Sequence, residues 1–172
     1  MDAQRSLRRV RLLLIIVFVG LLMSGLTAFP LQWEIDLLKR FIDSAPGLTN
    51  LIPGLAEWIT TVHTGLTATL QQYPFLAYGI DWLAFAHIVI AIAFLGPIRN
   101  PERNVWVIEF GMIACVLVIP LALIFGPLRG IPIGWQLIDC SFGIIGIIPL
   151  WLARRLTRQM TCTTQQPLIT AH

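Results

Sequence analysis

Val105 to Phe125 reads VWVIEFGMIACVLVIPLALIF. One ionisable residue, Glu109, interrupts an otherwise apolar run. Wound as an α-helix at about 1.5 Å per residue, the run is roughly 30 Å long, the thickness of a bilayer's hydrocarbon core. Gly126-Pro127 closes it on one side, and Gly96-Pro97 closes another apolar run on the other. Such pairs punctuate helices.

Further outward the pattern repeats. Candidate spans cover residues 10–29, ended by Pro30, then 78–95, 105–125 and 135–152, the last ended by Arg154-Arg155. Tyr78, Trp82, Trp106, Trp135 and Trp151 lie near span ends, where aromatic belts form. The first span follows a basic segment, as a cleavable signal does, and Leu26-Thr27-Ala28 is the candidate cleavage triplet. Leucine is a poor fit to its first place and the apolar run is long, so an uncleaved anchor is expected.

Composition agrees. Of 172 residues 56% are hydrophobic and 12% charged, with a mean hydropathy of +0.78. A soluble domain carries roughly 25% charge, and one of this size could not hide so much apolar surface. A soluble enzyme, a disordered chain and a nucleic-acid module are excluded. Net charge is +3, from 12 Lys and Arg against 9 Asp and Glu. With the N-terminus inside, Arg5, Arg8, Arg9, Arg11, Arg99, Arg103, Arg154, Arg155 and Arg158 face the cytoplasm. Lys39, Arg40 and Arg129 stay outside. This bias sets the orientation expected: both termini in the cytoplasm of a cell inner membrane, with basic clusters beside anionic lipid head groups.

Residues 30–74 form a long extracytoplasmic segment. Leu31, Ile35, Leu38 and Ile42 share one side of a first helical pattern, 31–42. Leu55, Trp58, Ile59, Val62, Leu66 and Leu70 recur at helical spacing over 54–72. Ser44-Ala45-Pro46-Gly47 separates the two. An apolar stripe under half the circumference predicts helices lying on the outer leaflet or on the span tops. The fold expected is therefore an all-α, four-span bundle with two amphipathic outer-face helices, in a single domain. Short loops at 96–104 and 126–134 make spans two, three and four neighbours. The cytoplasmic tail, 154–172, is polar and expected to be loose from Thr157 onward.

Ionisable groups inside spans are costly and mark candidate sites. His87 lies roughly 13 Å deep in span two, with Ala84 and Ala91 on its face. It could ligate haem, hydrogen-bond a quinone or relay protons. The plain alternative is a neutral histidine satisfied by a nearby carbonyl or hydroxyl. His63, on the second outer helix, is a second haem-ligand candidate, for an axial pair with His87 if that helix folds over the spans. Asp139 sits about 6 Å into span four, on a face with Gly143 and Gly146. Arg129 is its expected partner, with Asp81 joining them to pin the helix tops. Glu109 is expected to meet the basic residues at the cytoplasmic face, Arg99, Arg103, Arg154 and Arg155. Asp81, Glu109, Arg129 and Asp139 are thus ion-pair or relay candidates, though few polar side chains connect them. Pro120 and Pro149 are expected to kink their spans.

Cys115, Cys140 and Cys162 form no C-x-x-C pair, so neither a disulfide framework nor zinc is expected. A membrane disulfide oxidoreductase would need reactive pairs on the outer side. No phosphate loop, nucleophile elbow, H-E-x-x-H or other catalytic motif appears, so a catalytic role is not expected. Gly20-x-x-x-Ser24 suits close helix packing, within the chain or between copies. Three functions follow. The first is an accessory subunit, assembly factor or scaffold with a membrane-protein partner or self-association. The second is a haem- or quinone-binding redox subunit using His87. The third is a small proton-coupled transporter using Asp139, His87 and Glu109.

Overall fold

The computed structural model describes residues 2–45, 47 and 54–165. Its regular elements are helices: α1 (Asp2–Ala28), α2 (Leu31–Ser44), α3 (Leu55–Gln72), α4 (Ala77–Ala93), α5 (Leu95–Arg99), α6 (Val105–Leu128) and α7 (Ile133–Gln165). A 3-10 turn, Pro74–Leu76, leads into α4. Four stretches are long and apolar enough to cross a membrane: Gln4–Ala28, Pro74–Arg99, Val105–Leu128 and Ile133–Thr161.

Several boundaries differ from those expected: Gly96-Pro97 lies inside α5, and α6 runs through Gly126-Pro127 to Leu128. α1 begins at Asp2, more than two turns ahead of Val10. α7 runs to Gln165, so the part of the tail expected to be loose is helical as far as that residue. No proline or glycine interrupts α7 after Pro149. Its extension also has something to pack on: Leu156 and Met160 rest on the core that α1 shares, and Thr157 is buried with its hydroxyl donating to the Ala153 carbonyl at 2.8 Å. Both α6 and α7 continue through their internal prolines.

α1 is the central helix, packing against α4 on one side and α7 on the other, while α7 packs against α6. The expected order of neighbours is thus corrected. Spans two and three are joined by a short loop, yet α4 and α6 make little contact along their length. They meet at one end, where the Phe94 ring sits against Gly111; a Cβ there would lie 2.8 Å from Cζ of Phe94 and 3.1 Å from Leu150. A loop constrains only the ends it joins, and α1 supplies the longer apolar face for α4.

Apolar burial is concentrated at two levels. At the arginine-rich end, Val10 and Leu14 of α1, Phe94, Val107 and Ile108 of α6, and Leu150 and Ala153 of α7 form one core. At the opposite end, Ile42 of α2 packs with Leu55 and Ile59 of α3, and Trp135 and Ile138 of α7 close over them. α6 ends there in a Schellman turn: Ile131 N–H donates to Gly126 O at 2.9 Å and Gly130 N–H to Pro127 O at 3.1 Å. Gly130 takes φ +68°, open to glycine at little cost.

Candidate functional site

The candidate residues fall at three places. Glu109, one turn into α6, is held at the arginine-rich end. Its Oε1 accepts from Arg154 Nε at 2.7 Å and Arg158 Nη2 at 3.2 Å. These arginines are four apart on α7 and present one face to it. Arg155 instead lies over the Trp151 ring, 5.5 Å from its centroid. Arg99 and Arg103 are not among Glu109's partners. Arg11 donates to the Ile98 and Arg99 carbonyls at 3.1 and 3.3 Å, tying α1 to α5.

The cluster expected at the opposite end is not assembled. Among the described residues, Asp81, Arg129 and Asp139 form no ion pair. Arg129 caps α6 with its side chain exposed. Asp81 is on α4, and α1 stands between α4 and α7, the helix that carries Asp139. Depth along the spans was legible; which helix stands between them was not. Asp139 itself is half-buried between Ile138, which packs on the outer core, and the buried Cys140.

His63 is taken up by α2. Its Nε2 lies 2.8 Å from Asp36 Oδ1, and a carboxylate can only accept, so Nε2 carries the proton. Gln32 Nε2 donates to the same Oδ1 at 3.2 Å and to Thr67 Oγ1 at 2.8 Å. Asp36, Gln32, His63 and Thr67 therefore fasten α2 to α3. The axial pair with His87 is not formed, because α3 packs on α2.

His87 has a different hydrogen-bond state. Its Nδ1 lies 2.8 Å from the Leu83 carbonyl, one turn back on the same helix. A carbonyl accepts, so Nδ1 carries a proton, and the neutral form of the ring has its lone pair at Nε2. That nitrogen has no partner among the described residues. This is the plain alternative expected for His87, a ring satisfied by a backbone carbonyl, and it leaves the second nitrogen free. Gly25 of α1 stands beside the same segment; a Cβ there would lie 2.8 Å from the Ala84 carbonyl and 3.2 Å from His87 Cβ. The absent side chain lets α1 approach α4 closely.

A relay from Glu109 through His87 to Asp139 is not assembled either. Glu109 and Asp139 lie toward opposite ends, and α4, which carries His87, makes little contact with either of their helices. Ser141, between them, donates to its own helix at Ile138 O, 2.6 Å away.

Two features escaped the sequence reading. Trp33, Leu37 and Phe41 form a second, exposed apolar stripe on α2; their i, i+4, i+8 spacing was the signal. Gln136 is buried, with Nε2 donating to Ile131 O at 2.7 Å and Oε1 unpartnered, as is the buried Trp58 Nε1. Compared with known proteins, the chain matches no family, no curated protein and no solved structure.

Proposed function

We propose that the chain is a multi-pass inner-membrane protein, with both termini cytoplasmic, that serves as an accessory subunit or assembly scaffold of a membrane complex. The observation that carries this reading is the amount of helix surface left uncovered. The chain exposes 11,863 Å², against about 8,500 Å² for a globular monomer of 19.3 kDa. Lipid covers apolar surface of any shape, but close-packing surfaces favour another helix. Gly20 and Ser24 of α1 are such a surface: both are exposed, and a Cβ at Gly20 would meet nothing within 4 Å.

α2 fits the role of an outer-leaflet anchor. From Arg11 to Pro30 the chain climbs about 28 Å, close to one hydrocarbon thickness. The exposed Trp33, Leu37 and Phe41 follow at once, continuing the lipid-facing surface of α1 into the outer interface. Extraction in native lipid discs followed by native mass measurement tests the proposal. A second membrane protein in fixed ratio is expected, released by Gly20→Leu. Discs holding only the 19.3 kDa chain would refute it.

A second reading has its own support. The His87 ring, with Nδ1 anchored and Nε2 free, is prepared to bind a cofactor or lipid-soluble ligand.

A further inference from the structure

We infer that the seam between α4 and α6 is a binding site for the reduced form of a lipid-soluble quinone, a hydroquinone whose phenolic O–H donates to Nε2 of His87. The inference rests on the second reading above and names its ligand class.

The seam follows from the packing. α4 and α6 meet where Phe94 seats on Gly111, and make little contact away from that end. His87 precedes Phe94 by seven residues, so it lies on the same stripe of α4, about 10 Å further from the closed end. Val118 follows Gly111 by seven and stands at the same height on α6. Leu83, Ala114 and Leu121 flank these two and are exposed, so the walls do not close on each other. His87 thus stands beside an apolar wedge, with Nε2 unpartnered, and the wedge is shut at the arginine-rich end and open at the other.

The occupant must fit both the shape and the lone pair. A membrane-spanning helix packs 8–10 Å from its neighbours over its whole length, and the Phe94–Gly111 contact blocks that. An acyl chain fits but brings no donor, leaving a polar atom unsatisfied in hydrocarbon. A flat phenolic ring on an apolar tail enters from the open end, donates to Nε2 and lays its tail along the leucines. The oxidised quinone has only acceptors, and Nε2 of the neutral ring cannot donate. The site therefore prefers the reduced ligand.

The test uses the full chain in nanodiscs, with decyl-benzohydroquinone and decyl-benzoquinone as probes and ligand-dependent thermal shift as readout. The hydroquinone is expected to bind about tenfold more tightly, the worth of one net hydrogen bond. His87→Phe removes that preference; His87→Gln, which keeps an acceptor, retains part of it. Leu121→Trp fills the wedge and displaces the hydroquinone with His87 untouched, which serves if the histidine variants do not fold. Equal affinity for the two probes overturns the inference, as does a preference that survives His87→Phe. An absorbance spectrum before and after dithionite separates the layers. A Soret band lost in His87→Phe overturns the hydroquinone site but keeps His87 as a ligand. A featureless spectrum with no hydroquinone binding removes both.

Discussion

At the arginine-rich end, α1, α4, α6 and α7 share one apolar core around Phe94, Ile108 and Leu150. Beside it, Glu109 and two arginines join α6 to α7. At the other end α2 and α3 have a core of their own, capped by Trp135 and Ile138. Their polar tie, His63 to Asp36 and Gln32 to Thr67, joins these two helices to each other and not to the long ones. One end is thus built across the spans, the other beside them. Strength of packing and availability for ligands should accordingly be divided between the two ends, and substitutions can break that division.

The largest effect is expected from Phe94→Ala. The ring is almost fully buried and is the contact by which α4 reaches α6. Truncation of such a side chain costs about 3 kcal/mol or more, read as a lower midpoint in thermal unfolding from nanodiscs. It also opens the seam at its closed end. Gly111→Leu attacks the same contact from α6. It drives atoms into Phe94 and Leu150, with an expected cost of about 1–3 kcal/mol. If both variants melt like the parent, the Phe94 core does not hold this end.

Smaller effects are expected from the polar ties. Glu109→Gln leaves Arg154 and Arg158 without their carboxylate. The pair is partly exposed, so the cost should be about 1 kcal/mol or less. A double-mutant cycle with Arg154→Gln isolates the coupling. On the other side, Asp36→Ala removes acceptors from both His63 and Gln32, at about 1 kcal/mol. Its signature is local: amide exchange should rise in α2 and α3 and stay unchanged in α1 and α6. Spread of that effect into α6 would mean the two ends are one cooperative unit.

What the sequence made legible was set by one-dimensional physics. Hydropathy located all four long helices, because a run such as 105–125 has few alternatives, whereas the Gly-Pro pairs fall inside helices and end neither. Depth along a helix is also one-dimensional, and it placed Glu109 within reach of Arg154. Which helix stands beside which is not encoded that way. α1 comes between α4 and α7 because glycines such as Gly25 let it approach, and nothing in residue spacing announces that. Asp81 and Asp139 therefore read as neighbours at equal depth when they are on different sides of α1. The exposed stripe on α2 was readable, but the stripe through Ile35 and Ile42 already accounted for the helix.

The smallest expected effect separates the two accounts of Asp139. If Arg129 and Asp139 were partners at membrane depth, removing either would strand the other's charge, at several kcal/mol. In the structure Arg129 is exposed beyond the end of α6, and Asp139 has no partner among the described residues. Neutralising a half-buried carboxylate that nothing holds removes a desolvated charge and no bond. Asp139→Asn should therefore leave the thermal midpoint unchanged or raise it slightly, and Arg129→Ala should shift stability by no more than about 0.5 kcal/mol. The double variant should equal the sum of the two. A large loss from either single change, recovered in the double, would show that the carboxylate and the guanidinium meet. The end built beside the spans would then be tied across them as the arginine-rich end is.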